Sequence, residues 1–577
     1  MKMLFRTAVI GLFMVALWMP VADAQQTRSR LTRTDIENRL NALEQPVTSG
    51  QLVEVTCNGS GTPLQDAVNQ ARPGIPLTIN VAGSCVENVD IQADDVTING
   101  VSQGSTTITA ASTTDATIDL VGARRFTLQN VTVSGGHTES TPESDEANAV
   151  LARDGSSSTL QSVTVTKASK SGVVVTSGST ANLVDVTMKD NVRHGVYVER
   201  NGYAEVSGAT LIEQNGGYGM AVSFNASSIV DGALIRDNGI DGVVISRHSH
   251  VTLKNSTVEN NTGRGIFLLR SSQANVDTST IQGNGERGIF AWRSSQVEMT
   301  NSTVQNNTAA GVKASQGSQA DIFSSTVQNN GGRGFEVQNS SHASIDESTV
   351  QNNQGDEIQV SNGSALELEE SVVTHDAGTI GSQTEWHYAI IANDNSNVDI
   401  NQGNTITSNV ESSAIGSTLL LLRGSNATIR GGEFPEVAGN RFNRIVNTAP
   451  VNSPSDGNPS TAGGMAISAH SLSGVRIDFG HTVIQGNINH GELSVMDLRD
   501  VAITGNVFGN GEKLRFRDQG TVPGNITITG GNVYSHHHIS INSDSEQPTF
   551  DGDINCMGGP QPASPIFIND HGFVNCQ

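Results

Sequence analysis

The sequence predicts one elongated all-β fold, a right-handed parallel β-helix whose coils contain about 23 residues each. Two observations predict it: a motif that recurs at a nearly constant interval, and apolar residues that alternate with polar ones inside each interval. The composition agrees, because 61 glycines and only 4% aromatic residues are spread over 577 residues without the break that separates compact domains. We therefore expect three parallel sheets around a single core, with an asparagine ladder and a short N-terminal helical cap.

The repeat is defined by a glycine and an asparagine. The glycines stand 23 or 24 residues apart, at Gly172, Gly195, Gly219, Gly242, Gly265, Gly288, Gly311 and Gly334. An asparagine precedes each glycine after the first by four residues, and a last one precedes Glu357, where the glycine is lost: Asn191, Asn215, Asn238, Asn261, Asn284, Asn307, Asn330 and Asn353. Asparagine suits turns, and identical side-chain amides can stack between coils. This pattern favours a ladder over ligands or glycosylation sites.

Each coil carries three short apolar patterns. In one coil these are Val243 and Ile245 after the glycine, then Val251 and Leu253, then Val258 before the next asparagine. Alternation with a period of two predicts a strand with one buried face. Stacked coils would pair equivalent strands at about 4.8 Å, so equivalent residues of successive repeats should form columns along the axis.

The N-terminus predicts export. Lys2 and Arg6 precede an apolar run over 8–19, and Ala22 and Ala24 provide the small residues of a signal-peptide cleavage site, which we place after Ala24. No later stretch approaches the roughly 20 apolar residues that span a bilayer. We expect a secreted or periplasmic protein without a membrane span.

The chain divides into five predicted segments. These are a signal peptide at 1–24, a leader at 25–49 that is either a short helix or flexible, the N-terminal cap and first coils at 50–110, the regular β-helix at 111–375, and irregular coils with a disulfide-closed cap at 376–577.

The cysteines and one helical motif define the expected caps. The motif starting at Thr62 has the Thr-x-x-Gln spacing of a capping box, ending at Gln65, with proline at the first helical position. In an exported chain, four cysteines in two local pairs predict two disulfides, Cys57–Cys85 and Cys556–Cys576. A metal site is disfavoured, because no Cys-x-x-Cys spacing accompanies them.

The net charge of the chain limits the classes of partner that the sequence supports. The formal net charge of -24 argues against nucleic acid, whose binding requires clustered lysine and arginine. The simplest interpretation of this acidity is solubility. The sequence does not indicate an oligomeric state.

One set of outward columns follows the glycine and combines aromatic residues with arginines. Its members are Tyr197, Arg247, Phe267, Arg270, Phe290, Trp292, Arg293 and Lys313, with Arg200 and Leu269 in the same columns. Exposed apolar patches mark binding sites, and arginine pairs with carboxylates or sulfates. We expect an exposed ridge that binds an extended, acidic polysaccharide. The alternative is that a loop or the C-terminal segment covers this face.

A second column directly precedes the glycine, with the candidate catalytic residues His194, Tyr218, Asp241, Arg264 and Arg287. Elimination or epimerisation of a uronate requires a neutralised carboxylate, a group that takes the C5 proton and a proton donor. These side chains, on adjacent coils, could share those roles. The alternative is an ordinary solvated turn.

A third column places Glu298 and Asp321 side by side. Two carboxylates at one coil's separation raise a pKa or bind a cation such as Ca²⁺. Solvent screening of two surface carboxylates is the simpler explanation of the pair, and we favour it. We expect no other cofactor.

The Asn-x-x-x-Gly-hydrophobic-x-hydrophobic repeat resembles that of the pectin-lyase-like right-handed parallel β-helix proteins. The resemblance runs over 50–577 and is clearest at 149–370. It implies a polysaccharide lyase or epimerase acting on a uronic-acid glycan, although a fold does not fix a reaction. The Gly-His-Gly and Arg-Ile-Lys motifs of polygalacturonases and the Asp-Pro-His-Asp motif of mannuronan epimerases are absent. A noncatalytic, surface-associated or extracellular glycan-binding or adhesion protein therefore remains the alternative.

Overall fold

The computed structural model of the chain is a right-handed solenoid of parallel strands, as expected. It describes residues 50–101, 104–136, 147–376, 388–410 and 417–430, and from residue 441 onward the backbone of the strands alone. The predicted signal peptide and leader, 1–49, lie outside the described residues.

Each coil contributes one strand to each of three faces, which we call sheets 1, 2 and 3. Sheet 1 follows the repeat glycine and contains Val89–Ile91, Ile118–Val121, Val150–Arg153, Val173–Val175, Val196–Glu199, Met220–Ser223, Val243–Ser246, Ile266–Leu269, Ile289–Trp292, Val312–Ser315, Phe335–Gln338, Ile358–Ser361, Ile390–Asn393, Ser417–Leu421, Met465–Ala469, Asn487–His490, Val507–Gly509, Val533–Ser535 and Ile554–Cys556. Sheet 2 comes next in each coil and contains Gln51–Asn58, Leu77–Val86, Val96–Gly100, Phe126–Gln129, Ser157–Gln161, Thr180–Val184, Tyr203–Ser207, Ser227–Asp231, His250–Lys254, Gln273–Asp277, Gln296–Thr300, Gln319–Phe323, His342–Asp346, Ala365–Glu369, Asn397–Ile400, Asn426–Arg430, Gly474–Asp478, Val495–Arg499, Lys513–Asp518 and His538–Ser543. Sheet 3 precedes the asparagine and contains Thr107–Thr109, Thr132–Ser134, Thr164–Thr166, Thr187–Lys189, Leu211–Glu213, Leu234–Arg236, Thr257–Glu259, Thr280–Gln282, Thr303–Gln305, Thr326–Gln328, Thr349–Gln351, Val372–Asp376, Thr405–Val410, Arg441–Val446, Thr482–Gln485, Val501–Thr504, Thr527–Thr529 and Thr549–Phe550.

Sheets 2 and 3 are joined at the N-terminal end. The strand Leu77–Val86 runs through the bend between them, and pairs with Val96–Gly100 on one side of it and Thr107–Thr109 on the other. Sheet 1 has no such link among the described strands. In the part of the chain whose side chains are described, the three faces therefore enclose one core, which alternate residues of the strands line from Val55 to Ile429.

The strands stack in the register that the repeats predict. In sheet 1, Phe267 pairs with Phe290 and Leu269 pairs with Trp292, and equivalent residues pair in the same way along the regular coils. Alignment of the repeats is thus equivalent to a map of surface columns, which confirms the geometric premise behind the candidate sites.

The asparagine ladder is present and buried. The Nδ2 of Asn238 donates to Oδ1 of Asn261 at 2.9 Å, and the Nδ2 of Asn261 donates to Oδ1 of Asn284 at 3.0 Å. The same bond links every neighbouring pair from Asn191 to Asn353. At its end Glu357, which replaces the repeat glycine, accepts bonds from the backbone N–H and the Nδ2 of Asn353.

The repeat glycine is required for space. A Cβ at Gly265 would lie 2.4 Å from Cγ2 of Ile281 and 2.7 Å from the carbonyl oxygen of Gly288. Its φ lies outside the left-handed region, so the glycine is not required there for a positive φ. The glycine lets the ladder asparagine and the next coil approach the backbone closely.

Two further ladders, built from serine, were not anticipated. In one, the backbone N–H of each serine donates to the hydroxyl of its equivalent in the next coil, through Ser272, Ser295, Ser318, Ser341 and Ser364. The other runs in the same way through Ser256, Ser279, Ser302, Ser325, Ser348 and Ser371. These hydroxyls satisfy backbone donors at the two bends that flank sheet 2.

The N-terminal cap helix forms, but the predicted capping box is wrong. The helix spans Pro63–Val68, and Thr62 makes no side-chain capping bond. Instead, the buried carboxylate of Glu87 accepts the backbone N–H groups of Leu64 and Gln65, at 3.1 and 2.9 Å. A carboxylate suits this place because it satisfies two free donors at the helix N-terminus.

The disulfide beside this helix is present, as expected. Cys57 and Cys85 are bonded, with their Cα atoms 4.9 Å apart. In the described residues, the only group of potential metal ligands within 4.8 Å of one another is this pair with Glu87, and the disulfide occupies both sulfurs.

At the other end of the solenoid, the strand Gly572–Asn575 pairs antiparallel with His538–Ser543. Parallel stacking stops there. The predicted bond between Cys556 and Cys576 lies outside the residues whose side chains are described. The described part of the chain contains no helix long and apolar enough to cross a membrane.

Candidate functional site

The aromatic residues of sheet 1 form a stack along the solenoid axis. The rings of Phe267 and Phe290 are stacked with their centroids 5.3 Å apart, and Trp292 is stacked at 6.3 Å from the first and 6.4 Å from the second. We call these three rings, together with Arg247, Arg264, Arg270, Arg287 and Arg293, the sheet-1 strip.

The arginines lie over these rings. The guanidinium carbon of Arg264 is 3.7 Å from the Phe267 centroid, and that of Arg293 is 3.9 Å from the Trp292 ring. Arg287 lies 5.2 Å from Phe290. All three distances are in the range of cation–π attraction. The rings therefore hold the guanidinium groups in place.

This packing changes the expected character of the surface. The sequence predicts an exposed aromatic ridge, but Phe267, Phe290 and Trp292 are each half-buried. The rings cover one another, and the guanidinium groups cover part of what remains. A ligand on this face would therefore meet arginine side chains and ring edges before ring faces.

Three arginines form a column without carboxylate partners. Arg247, Arg270 and Arg293 occupy equivalent positions in consecutive coils, and none forms an ion pair within the described part of the chain. Arg247 lies instead over the Phe224 ring, at 4.0 Å. Like charges one coil apart repel, so this column favours a bound anion.

The same arginines adopt an unusual backbone conformation. The φ angles are 56° at Arg247, 60° at Arg270 and 56° at Arg293. The left-handed region costs an ordinary side chain roughly 1–2 kcal/mol, and asparagine or glycine fits it better. The next three coils have Gln316, Asn339 and Asn362 at this position. Arginine is thus not the residue that the turn itself favours.

The strip ends where its cations are neutralised. The Nζ of Lys313 lies 2.7 Å from Oε2 of Glu336, whose other oxygen accepts a bond from Arg333. Burial opposes ionisation of Glu336, but Lys313 and Arg333 outweigh it and hold the pKa of this carboxyl below its usual value. Arg333 also pairs with Asp356 at 3.0 Å. Lys313, a candidate binding residue, is thus engaged within the protein.

The candidate catalytic residue Asp241 is fully buried. Its carboxylate accepts bonds from the backbone N–H and the Nε of Arg264, at 2.7 and 3.0 Å, and from Nη2 of the same residue at 3.2 Å. Burial raises the pKa of Asp241, although Arg264 acts in the opposite direction. Asp241 anchors Arg264 in its place over Phe267 and presents no surface to a substrate.

His194, Tyr218 and Tyr197 come together as the columns predict. The rings of His194 and Tyr218 are stacked at 4.9 Å, and Tyr197 meets His194 edge-on at 5.5 Å. The Nδ1 of His194 accepts the backbone N–H of Tyr218, so in the neutral imidazole Nε2 carries the proton. Burial raises the pKa of both tyrosines. As placed, His194 donates a hydrogen bond more readily than it takes a proton.

His194 also predicts a pH dependence. Burial, reinforced by Arg193 and Lys170, lowers the pKa of His194 to about 4 from its ordinary 6.5. As the pH falls, His194 is protonated in the unfolded chain before it is protonated in the folded one. The neutral, buried His194 therefore contributes stability that is fully present above pH 6.5 and is lost as the pH falls towards 4, by about 3 kcal/mol. His194→Asn keeps an acceptor for the Tyr218 N–H and cannot titrate. Denaturant unfolding at pH 7 and pH 4 should show that acid lowers the free energy of unfolding of H194N less than that of wild type. The control H248N, which replaces an exposed histidine, should lose as much stability as wild type. Equal losses in H194N and wild type would contradict this expectation.

The candidate cation pair is in register but not dedicated to a metal. Glu298 pairs with Asp321 across neighbouring strands of sheet 2. The Asp321 carboxylate accepts bonds from the side chains of Gln296 and Gln319, at 3.1 and 2.9 Å. Cation binding at this pair stays a prediction.

Several residues of the site escaped the sequence-based reasoning. The Tyr197 hydroxyl donates to Glu199 at 3.0 Å and lies 3.1 Å from the Ser223 hydroxyl, and Phe224 lies beneath Arg247. Glu199 and Ser223 occupy the column that holds Trp292, and Phe224 occupies the column that holds Arg293. Extending the column of Leu269 and Trp292 by three coils towards the N-terminus would have found Ser223 and Glu199, and the coil before Arg247 holds Phe224.

Comparisons with known proteins concern the fold. The family model described as the right handed beta helix region matches residues 78–232, 148–298 and 287–447, which together exceed half of the chain. No curated protein sequence matches.

Solved structures that resemble the chain include the periplasmic alginate epimerase AlgG, with 15% identity and a TM-score of 0.40, over 56% of this chain and 83% of that one. A mannuronan C-5 epimerase A-module from Azotobacter vinelandii shows 14% identity and a TM-score of 0.32, over 67% and 93%. A pectin methylesterase in complex with a hexasaccharide shows 14% and 0.28, over 43% and 82%.

Proposed function

The chain belongs to the right-handed β-helix family, and we propose that it binds an extended, acidic polysaccharide along the sheet-1 strip. The observation that carries this proposal is the column of Arg247, Arg270 and Arg293, which lacks carboxylate partners in the described structure of a chain with a net charge of -24.

A repeating acidic polymer matches this column. Its anionic groups recur along one direction, and the guanidinium groups recur at about 4.8 Å along the solenoid axis. Arginine presents several donors in a fork that suits carboxylates and sulfates, and each contact relieves repulsion within the column. Phe267, Phe290 and Trp292 support binding by ordering the arginines before the ligand arrives, which reduces the entropy lost on association.

The arginines of the strip also explain why the net negative charge of the chain does not prevent binding of an acidic polysaccharide. Arg264 and Arg287 contribute positive charge beside the column. Asp241 pairs closely with Arg264, at 3.0 Å, and Glu286 lies 3.7 Å from both arginines, so two carboxylates face the five arginines of this surface. Exposed charges more than about 8–10 Å away are screened at physiological salt, so the local cations dominate. Binding should weaken as salt increases.

The test of this proposal removes one aromatic side chain from the strip. Trp292→Ala removes the ring over which Arg293 lies and should weaken binding of oligogalacturonate or alginate about tenfold, since a partly buried tryptophan within a contact commonly contributes more than about 1 kcal/mol. The matched control is Phe323→Ala, which removes an exposed aromatic side chain from sheet 2. Calorimetric titration should show normal affinity in F323A. Equal affinities in wild type, W292A and F323A would overturn the proposal, as would the absence of any binding by wild type.

A uronate lyase or epimerase is the second candidate. One observation favours it: the stacked His194 and Tyr218 lie in the same column as Arg264 and Arg287, which places proton-handling and carboxylate-binding groups on adjacent coils. The bond from Tyr218 to Nδ1 of His194, and the burial of Asp241, weigh against a free general base in this column. We therefore place binding before turnover.

Turnover has a direct measurement. Incubation with alginate, pectate and glycosaminoglycans should produce no rise in ultraviolet absorbance from unsaturated ends and no inversion at C5 by NMR. Activity that is lost in Tyr218→Phe but retained in F323A would establish the enzyme and displace the noncatalytic proposal.

A further inference from the structure

A second concave site lies on sheet 2, away from the strip. Its volume is about 360 Å³, within the roughly 300–1,000 Å³ that is usual for ligand sites. It is lined by outward residues of four consecutive coils, in two adjacent columns: Ser157, Thr180 and Tyr203 in one, and Thr127, Thr159, Asn182 and Glu205 in the other, with Arg125 at one end. We call it the sheet-2 groove.

The shape of the groove follows from side-chain length. Its floor consists of short side chains, from Thr127 and Ser157 to Asn182, while the long side chains of Arg125 and Tyr203 stand at opposite ends. Because all of these positions point outward from in-register strands, the difference in length creates a depression along the axis. No packing requirement of the core determines these outward residues.

The charges of the groove exclude an anionic ligand. Arg125 is already paired, with its Nη2 2.7 Å from Oδ2 of Asp95, and its guanidinium also lies 3.7 Å from Asp94. At the other end stands the exposed carboxylate of Glu205. An acidic polymer would meet net negative charge here, in contrast to the sheet-1 strip.

The floor offers hydrogen bonds that the described structure does not use. The Oδ1 of Asn182 is buried and has no hydrogen-bond partner among the described residues. A buried acceptor without a donor costs roughly 1–3 kcal/mol, and a ligand hydroxyl would remove that cost. The hydroxyls of Thr127, Thr159 and Thr180 both donate and accept.

We propose that the sheet-2 groove binds a neutral saccharide. Sugars combine hydroxyl groups, which suit the Asn182 amide and the threonine floor, with apolar C–H faces, which suit the Tyr203 ring at its end. Glu205 accepts hydroxyl donors without requiring a cation. The site differs from the strip in sheet, in charge and in ligand class, so the protein would bind two kinds of glycan segment through two faces.

The experiment titrates cellohexaose, xylohexaose and mannohexaose into the full chain by calorimetry. At least one should bind, with affinity reduced tenfold or more in Tyr203→Ala and about fivefold in Asn182→Ala. Thr180→Lys, at an exposed floor position, should abolish binding, because the longer side chain fills the groove. W292A is the control and should bind the neutral hexaose normally; circular dichroism confirms that each variant is folded.

Three outcomes would overturn the proposal. These are no binding of any neutral hexaose, equal binding by wild type, Y203A and T180K, or loss in Y203A of oligogalacturonate binding instead. Failure here leaves the sheet-1 strip standing, because its own test uses W292A and an acidic ligand.

Discussion

Asn284→Ala should destabilise the protein by about 3 kcal/mol, far more than the loss of one hydrogen bond. The side chain of Asn284 donates to Asn307 and to the carbonyl of Val258, and it accepts the backbone N–H and the Nδ2 of Asn261. Alanine leaves the donors of Asn261 buried and unsatisfied, and these groups cannot reach water. The φ of Asn284 lies outside the left-handed region, so alanine itself introduces no backbone strain.

The control for this variant is Asn397→Ala, at an exposed strand position. Denaturant unfolding should show a clear decrease in the midpoint for N284A and almost none for N397A. Because a solenoid's stability is close to a sum over coils and their interfaces, the decrease should be accompanied by faster amide exchange in the coils on either side of Asn284. Equal midpoints for the two variants would contradict a structural ladder.

The double variant Arg270→Asn/Arg293→Asn should weaken binding of an acidic polysaccharide and leave the fold as stable as before or more so. Both residues have a left-handed φ, which asparagine tolerates better, so we expect a gain in stability of up to about 1 kcal/mol. Loss of two guanidinium groups that have no carboxylate partner in the described structure should reduce affinity about thirtyfold, or roughly 2 kcal/mol. A gain in folding stability together with a loss of affinity would indicate that these arginines serve ligand binding and not folding.

The matched control is Arg200→Asn, at the equivalent turn of an earlier coil. Arg200 has the same left-handed φ but lies 3.7 Å from Glu199 and outside the strip. It should show a comparable change in stability and little change in affinity. If R200N weakens binding as much as the double variant does, general electrostatics account for binding and the strip does not.

The regular coils could be predicted from the sequence because one spacing controls many contacts. The asparagine at the bend and the glycine four residues later recur together, and only stacked coils use them in this way. The surface columns followed directly from this spacing. Alignment of the repeats places His194 beside Tyr218 and Phe267 beside Phe290, as the structure does.

What could not be predicted depends on how side chains share space between columns. Serine is common on strands and in turns, so the two serine ladders gave no signal distinct from composition. The Thr62 motif matched a capping box, but Glu87, 22 residues beyond Gln65, satisfies the helix instead. Alignment gave the neighbours of Asp241 but not its burial under Arg264, and it gave an aromatic ridge but not its covering by guanidinium groups.

Oxidative footprinting of the side chains with and without oligogalacturonate tests the central claim most directly, because it reads several columns in one experiment. Phe267, Phe290 and Trp292 should become less reactive when the ligand is added, while Phe323 and Tyr203 on sheet 2 should not change. Protection of the sheet-2 residues with no change at Phe290 and Trp292 would show that the acidic ligand does not occupy the arginine-lined face of sheet 1.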